Sequence, residues 1–304
     1  MRRLLQSPSF PATERVHPDS GDLDLCSTRE LIRRLHREDR FAVRAVGRIL
    51  PAIAQAAQVA ALCLKSGGRI IYVGAGSSGR LGVLDAAECP PTFGASRREV
   101  TAILAGGSKA VAHAAEGAED NAAEGRKAIR DLRVCARDFV CGISASSSTR
   151  FVLAALREAR RRKATTALVC CNDTGKARKA ADLVLLAETG PELIAGSTRL
   201  KAGTATKLIL NALSTAAFVS LGRVYRGRMV NVKPSSQKLR TRAQNTIVEL
   251  AKVSPSRARA LLRHAGGRVQ LAIAMHLTGL PPDAARLALD THDLRRLEIL
   301  ASRR

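Results

Sequence analysis

The chain has 304 residues, which is enough to bury a full core, and one large domain with a smaller appendage is the expected division. It carries 50 Lys and Arg against 26 Asp and Glu, and 39 of these cations are arginines spread along the chain without a compact run. The resulting net charge of +24 is therefore interpreted as solvated surface charge that also suits an anionic substrate, rather than as a specific nucleic-acid site.

Cysteine spacing and hydropathy argue against a disulfide-rich, zinc-binding, membrane-spanning or secreted protein. The seven cysteines are odd in number and form no CxxC pair, so neither a disulfide framework nor a zinc site is indicated, and the histidines do not cluster. No apolar stretch reaches the length of a membrane helix, and the first ten residues lack the apolar core of a signal peptide. We expect a cytoplasmic protein that contacts no membrane and needs no metal or cofactor.

The N-terminal part predicts an irregular arm followed by two helices. Residues 1–20 are polar and contain three prolines. A helix is expected from Ser27, and a second one from about Phe41 to Lys65, which Gly67 and Gly68 terminate. The pair could form a helix-turn-helix, but packing against a sheet is the simpler role.

The next stretch, residues 69–94, predicts a phosphate-binding turn. RIIYV reads as a buried strand, a glycine-rich turn follows at residues 74–79, and the chain resumes as an amphipathic helix. Strand, glycine turn and helix together direct backbone N–H groups and a helix dipole at an anion. Ser77 and Ser78 add hydroxyl donors for phosphate oxygens.

A dinucleotide site is the main alternative for this turn, and a glycine turn needed only for chain reversal is another. A dinucleotide site requires an acidic residue at the end of the second strand, where it holds a ribose. Glu99 instead opens the next strand-like run, which ends in Ala105 and two glycines. The phosphate of a small ligand is therefore favoured.

Strand and helix patterns alternate through the central region. This alternation predicts an α/β fold with a doubly wound parallel sheet, in which ligands bind at the carboxyl ends of the strands. Beyond about Arg240 the pattern is wholly helical and predicts a small appendage. The candidate strands are residues 69–73, 100–104, 138–143, 166–171 and 182–187.

Two later segments offer further anion ligands. A serine-rich turn after the third strand places Ser146, Ser148 and Thr149 where hydroxyls can donate to phosphate, although a serine-rich helix cap explains the same residues. Arg199 and Lys201 lie among small residues before a helical run. These two cations fit a phosphate or carboxylate ligand and ordinary helix-end charges equally well.

Two acidic positions are candidates for proton transfer. Glu88 precedes Cys89 and two prolines, so a helix is expected to end around it. Glu119 follows Gly117, which is expected to begin a new helix. From the residues alone, solvated surface acids are favoured over catalysts at Glu119 and at the nearby Glu116.

Five ordered segments resemble one enzyme family. Residues 74–94, GAGSSGRLGVLDAAECPPTFG, resemble the signature of the N-acetylmuramic acid 6-phosphate etherases, which have a sugar isomerase (SIS) domain. The matching segments that follow are residues 105–120, 144–149, 190–215 and 227–243. The serine-rich turn is similar to the S-x-S-G-x-T loop of SIS domains, but Ser147 stands where glycine is usual.

The resemblance implies both a fold and a reaction. The expected fold is a flavodoxin-like SIS domain at residues 61–240, preceded by an arm and helices at 1–60 and followed by a helical domain at 241–304. The implied activity is cleavage of the lactyl ether of N-acetylmuramic acid 6-phosphate, with Glu88 and Glu119 as the acid/base pair. A sugar-phosphate isomerase and a non-catalytic sugar-phosphate-binding regulator remain alternatives.

Helix geometry raises a question about these glutamates. A continuous helix from Ser78 to Glu88 would carry the carboxylate ~15 Å from the phosphate turn. Glu119 is similarly distant in sequence from Gly107. Either the helices break early or each site takes one glutamate from a second subunit, and a homodimer with shared sites is preferred.

Overall fold

The computed structural model describes residues 12–232 and 237–302 of the chain. The first eleven residues of the predicted arm, and residues 233–236 within the fifth family-like segment, lie outside this range. The strands are β1 (Ile70–Gly74), β2 (Val100–Leu104), β3 (Phe139–Ile143), β4 (Thr165–Cys170), β5 (Leu183–Leu186), β6 (Val224–Tyr225) and β7 (Arg228–Met229). The α-helices are α1 (Thr28–Gly47), α2 (Leu50–Lys65), α3 (Gly76–Phe93), α4 (Ala122–Asp131), α5 (Arg150–Arg161), α6 (Ala177–Ala180), α7 (Lys201–Ser220), α8 (Gln237–Ala251), α9 (Pro255–His264), α10 (Val269–Thr278), α11 (Pro282–Thr291) and α12 (Leu294–Ala301).

The five long strands form one parallel sheet in the order β2-β1-β3-β4-β5. Each lies within one residue of its predicted bounds, and the predicted doubly wound α/β fold with a helical C-terminal region is confirmed. This strand order is the flavodoxin-like one, whose topological switch point lies between β1 and β3. The short β6 and β7 form a separate antiparallel hairpin that the sequence pattern did not predict.

The core of the sheet domain consists mainly of aliphatic and alanine side chains. Every residue of β1 and β3 is buried, as expected for strands covered on both faces. One face of β1 and its neighbours packs against α5, whose Phe151, Val152 and Leu156 are fully buried. Aromatic residues are only 3% of the chain, so alanine and branched aliphatic side chains make up most of the buried core.

The chain divides into two compact units. One comprises the described residues up to Ala87 together with Arg97–Ala216, and the other comprises Glu88–Ser96 together with the chain from Ala217 onward. Helices α8 to α12 of the second unit pack around Ile247, Leu261 and Ile273. The three-domain division at residues 60 and 240 stays a prediction.

The N-terminal helices break later than expected. The first runs to Gly47, so Phe41 and Val43 belong to it, and the second begins at Leu50. Pro51 lies at the start of the second helix, where its missing N–H costs nothing, whereas inside a longer helix it would remove a hydrogen bond. The periodic apolar pattern continues through this junction, so the sequence did not show where the first helix ends.

The expectation that a helix ends around Glu88 is wrong. Helix α3 continues through Pro90 and Pro91 to Phe93, and the N–H of Gly94 donates to the carbonyl oxygen of Pro90 at 3.0 Å. Because both prolines lie in the last turn, the helix loses only the two hydrogen bonds that their N–H groups would have made.

No single described helix is long and apolar enough to cross a bilayer. Helices α1 and α2 have the length and apolar composition of a membrane span only when they are taken together, and they are bent by 62° at their junction.

Candidate active site

The two predicted phosphate loops lie side by side at the switch point of the sheet. Gly74, the last residue of β1, pairs in register with Ile143, the last residue of β3. The glycine-rich turn and the serine-rich turn begin directly after these residues. Crevices at such a switch point are where open α/β sheets bind ligands.

Close packing explains the glycines of the first turn. A Cβ on Gly74 would lie 2.5 Å from the Cα of Gly79, so neither residue tolerates a side chain without a shift of the backbone. Gly76 begins α3 with a φ of 53°, a left-handed conformation that glycine adopts without strain. Ser77 and Ser78 are half-buried in the first turn of α3, where helix N–H groups and dipole favour an anion.

The serine-rich turn carries a connected set of hydroxyls. Ser146 Oγ and Ser148 Oγ lie 2.8 Å apart. Ser144 Oγ and Thr149 Oγ1 are also 2.8 Å apart, and Thr149 occupies the N-cap position of α5 without a side-chain capping bond. Three of the predicted ligands, Ser146, Ser148 and Thr149, are therefore held in one turn before a helix N-terminus, as the sequence indicated.

Ser147, the departure from the family pattern, has the backbone conformation of a glycine. Its φ is 55°, which is unfavourable for a residue with a Cβ. Its side chain is fully buried, and its Oγ accepts a hydrogen bond from the N–H of Thr174 at 3.2 Å and lies 2.9 Å from Thr174 Oγ1. Thr174, in the loop after β4, was not identified from the sequence, because the pairing joins positions 27 residues apart.

Glu119 borders the glycine-rich turn of its own chain. It lies in a short 3-10 turn, Ala118–Asp120, that Gly117 precedes with a φ of 74°. Its exposed side chain lines a cavity of about 170 Å³ together with Gly76 and Arg80. The folded chain thus brings Glu119 beside the first phosphate loop despite their separation in sequence.

Arg80 holds the segment that leads to Glu119. Its Nε donates to the carbonyl oxygens of Ala110 and Val111 at 3.1 and 3.0 Å, and its Nη2 donates to that of His113 at 3.0 Å. One guanidinium therefore fastens this segment onto the start of α3. Arg80 was not identified from the sequence, although its position directly after the glycine turn was the available signal.

Glu88 lies far along α3 from the phosphate loop. Its side chain is exposed, and ten residues of unbroken helix place it ~15 Å from Ser78 along the axis. The early helix break that would have shortened this distance does not occur.

Lys201 and Arg199 have different environments. The ammonium of Lys201, 3% exposed, donates to Glu38 Oε2 at 2.6 Å, and the same oxygen lies 3.1 Å from His17 Nε2. Arg199 is exposed and lines a cavity of about 280 Å³ beside Glu38. Lys201 thus already has a buried partner, whereas the guanidinium of Arg199 is accessible to a ligand.

Glu192 lies at the N-terminus of α7, beside Lys201, and was also not identified from the sequence. Its carboxylate accepts the N–H groups of Lys201 and Ala202 at 3.2 and 2.9 Å, which caps the N-terminus of α7. Burial raises the pKa of Glu192, although these hydrogen bonds and the Lys201 charge oppose the rise. Within residues 12–232 and 237–302, no group of His, Cys, Asp and Glu side chains is arranged to hold a metal ion.

Known proteins resemble this chain over most of its length. Residues 52–160 match the family described as the glucokinase regulatory protein N-terminal SIS domain. The chain is 42% identical over 290 residues to N-acetylmuramic acid 6-phosphate etherase 2 of Vibrio cholerae, covering 95% of this chain and 94% of that protein. It is 46% identical over 281 residues to N-acetylmuramic acid 6-phosphate etherase of Serratia proteamaculans, covering 92% of this chain and 95% of that protein.

Solved structures agree on the fold. A phosphoheptose isomerase from Francisella tularensis aligns with a TM-score of 0.52 and 21% identity over 64% of this chain and 100% of that one. At that identity the likeness shows the SIS-type fold alone. The sequence identities above, which extend over nearly the whole of both partners, confirm the resemblance seen in the five motif segments, and this chain belongs to the N-acetylmuramic acid 6-phosphate etherase family.

Proposed function

We propose that this chain is a lyase that cleaves the lactyl ether of N-acetylmuramic acid 6-phosphate, giving N-acetylglucosamine 6-phosphate and D-lactate. The family membership supports the substrate and the reaction. The structural observation that carries the proposal is the placement of Glu119 in one cavity with Gly76, at the edge where both phosphate loops lie.

The loops supply the phosphate-binding part of the site. Ser77 and Ser78 offer hydroxyls at the start of α3, and Ser146, Ser148 and Thr149 offer them at the start of α5. Two helix N-termini that converge on one anion hold it by dipole and N–H groups together. Arg199 is the proposed partner of the lactyl carboxylate or of the phosphate. Lys201 is retained as a weaker candidate, because its ammonium is paired with Glu38.

The reaction needs proton transfer and no redox step. In the open-chain sugar the aldehyde acidifies the C2 proton, and a base removes it. The C3–O bond then breaks as an acid protonates the departing lactate oxygen. Water adds at C3 of the unsaturated aldehyde, so that ether and water become sugar phosphate and D-lactate. Glu88 is assigned the leaving-group protonation and the later activation of water, and Glu119 the base at C2.

A homodimer with shared sites reconciles the two glutamates. Glu119 borders the glycine loop of its own chain, whereas Glu88 lies ~15 Å along α3 from Ser78. Leu84, four residues before Glu88 and so on the same helix face, is 45% exposed, and Ile32, Val43 and Leu62 of α1 and α2 are more exposed still. Large exposed apolar side chains of this kind favour a second copy as the partner. In this arrangement the second copy delivers Glu88.

Location and domain roles complete the proposal. A phosphorylated sugar carries charge that hinders its passage across a membrane, which supports a cytoplasmic enzyme. The parallel sheet, within the proposed SIS domain at residues 61–240, holds the phosphate loops; the arm and helices at 1–60 and the helices at 241–304 are proposed as separate flanking domains.

Incubation of the purified protein with N-acetylmuramic acid 6-phosphate tests this proposal. Stoichiometric D-lactate and N-acetylglucosamine 6-phosphate are expected. Isomerised sugar phosphate without lactate would establish the isomerase alternative. Tight binding of the substrate without any turnover would establish the regulator alternative.

A further inference from the structure

The second compact unit contains a large groove whose rim is rich in arginine. The groove has a volume of about 1100 Å³ and lies among α8, α9 and the turn before α10. Its floor includes Val230, Leu262 and Val269. The rim includes the exposed side chains of Arg240, Arg259, Arg263 and Arg268.

Three structural elements contribute these cations. Arg259 and Arg263 are one turn apart on α9, on the same helix face. Arg268 is the N-cap residue of α10, and Arg240 belongs to α8, where its Nε donates to Gln237 Oε1 at 3.3 Å. Four guanidinium groups thus border a single groove.

The groove has no described carboxylate on its lining. Several acidic side chains of this unit are engaged elsewhere: Glu249 pairs with Arg228 at 2.6 Å, and Glu298 pairs with Arg226 and Arg295. Asp293 accepts the N–H of Arg296 and caps α12. Within residues 237–302, no ion pair is formed by Arg259, Arg263 or Arg268.

Like charges one turn apart destabilise a helix, so this arrangement costs stability unless an anion neutralises it. Arginine is well suited to phosphate, because its planar fork donates two parallel hydrogen bonds. The apolar floor adds a surface for an uncharged moiety, and the volume accommodates a ligand of nucleotide or sugar-phosphate size.

We infer that this groove, defined by Arg240, Arg259, Arg263 and Arg268, is a second anion site that binds a small organic phosphate with two or more negative charges. The groove lies within the second compact unit, where Gly94 and residues 230–232 also line it, and it contains none of the residues assigned to the etherase reaction. It goes beyond the proposed function, and its test does not depend on turnover.

The test is isothermal titration calorimetry of the full-length protein with inorganic pyrophosphate and with ADP, at ~0.15 M salt so that weak surface attraction is screened. Saturable binding of ADP is expected, with pyrophosphate binding more weakly because it lacks a group for the apolar floor. The double variant Arg259→Gln/Arg263→Gln should lose at least about tenfold in affinity.

Arg257→Gln is the matched control, because Arg257 is an exposed arginine of the same helix that does not line the groove. It should keep the wild-type affinity, and so should Ser146→Ala, which alters the serine-rich turn. Equal losses in Arg257→Gln and the double variant would show non-specific charge and overturn the inference. Loss only in Ser146→Ala would place the phosphate at the catalytic loops, and displacement of ADP by a short duplex DNA that binds more tightly would make the groove a nucleic-acid surface; either result also overturns it.

Discussion

Ser147 Oγ and Thr174 Oγ1 lie 2.9 Å apart and join the serine-rich turn after β3 to the loop after β4. Thr174 Oγ1 also lies 3.4 Å from the carbonyl oxygen of Ser147 and is oriented to donate to it. Ser147 holds its left-handed φ of 55° within this pair of contacts. The serine is therefore not a neutral replacement for glycine: its hydroxyl offsets part of the strain that its Cβ introduces.

The first prediction separates the strain from the hydrogen bonds. Ser147→Ala keeps the Cβ and removes the hydroxyl, so the free energy of unfolding should fall by about 1–2 kcal/mol. Ser147→Gly loses the same bonds but relieves the positive φ, and it should be less destabilised than the alanine variant. Urea unfolding measures the free energy of unfolding of both variants. Thr174→Val, which removes the other hydroxyl of the pair, is the matched variant. Equal midpoints for Ala and Gly would show that the backbone at this position carries no strain.

The second prediction concerns the two phosphate loops. Ser78→Ala and Ser146→Ala each remove one proposed donor to a charged phosphate, which costs about 1.5–3 kcal/mol of binding. KM for N-acetylmuramic acid 6-phosphate should rise about tenfold or more in each variant. Ser66→Ala is the control, since Ser66 is an exposed serine at the end of α2 whose hydroxyl donates to the carbonyl oxygen of Leu62. Unchanged KM in both loop variants would remove these turns from the site.

The third prediction distinguishes the two cations before α7. Lys201→Met leaves Glu38 buried without its ammonium partner and should cost about 3–5 kcal/mol of stability. Arg199→Met removes an exposed cation and should leave stability unchanged while raising KM. Thermal unfolding and initial rates, measured on both variants, check this. The double variant Glu38→Gln/Lys201→Met should regain part of the stability, because no unpaired charge is then buried. A Lys201→Met protein with wild-type stability and raised KM would instead make Lys201 a substrate ligand.

Local pattern was enough to predict the sheet and the loops, but not the contacts between distant positions. The strands and the glycine turn are encoded in runs of five to six residues, and each was found within one residue. The Lys201–Glu38 pair spans 163 positions, so Lys201 looked as available to a ligand as Arg199 did. Arg80 was missed for the same reason, because its three carbonyl partners lie 30 to 33 residues away. Glu119 was recognised through the family resemblance; only folding shows that it borders Gly76.

The fourth prediction follows from the ion pair at the start of the sheet. Arg69 donates to both oxygens of Asp138, at 3.0 and 2.6 Å. Burial disfavours ionisation of Asp138, but the hydrogen bonds from Arg69 and from the N–H of Cys135 outweigh it and lower its pKa below 3.8. The folded state therefore binds this proton less tightly than the unfolded state. The resulting stability is present above pH 3.8 and is lost as the pH falls through the folded pKa.

Asp138→Asn should accordingly be less stable than wild type near neutral pH, and its free energy of unfolding should fall less steeply in acid. Urea titrations from pH ~5 to ~2 measure the slope. Asp85 should affect the pH dependence of stability in the opposite direction, because burial raises its pKa despite hydrogen bonds from Tyr72 and Ser214. Its contribution is present below pH 3.8 and is lost as the pH rises through the folded pKa, so Asp85→Asn should not reduce the acid slope. Parallel slopes for Asp138→Asn and wild type would refute the assignment.

The fifth prediction concerns the catalytic glutamates. Glu88→Gln keeps the size and hydrogen-bonding capacity of the side chain but cannot exchange the catalytic proton, so lactate release should fall by about 10²–10⁴-fold. Glu119→Gln should also slow turnover, less severely if Glu88 serves both the leaving group and the water. Substrate affinity, measured by calorimetry, should survive in both variants because the phosphate is held by the loops. Glu116→Gln is the control, since Glu116 lines the same cavity as Glu119 but has no assigned proton transfer. Full activity in Glu88→Gln would sink the mechanism.

Subunit mixing decides whether the sites are shared. If Glu119 acts on the loop of its own chain and a second copy delivers Glu88, a heterodimer of Glu88→Gln and Glu119→Gln chains contains one site with both glutamates and one with neither. Mixing two inactive homodimers under exchange should then restore up to about a quarter of wild-type activity, because half of the dimers are mixed and each has one intact site. Exchange is verified with differently tagged chains. An equal mixture of wild type with the double variant Glu88→Gln/Glu119→Gln is the reference, in which exchange should halve the activity if the sites are shared and leave it unchanged if they are not. If exchange is confirmed and lactate release stays at the level of the separate variants, both glutamates act within one subunit and α3 must move to bring Glu88 to the loop.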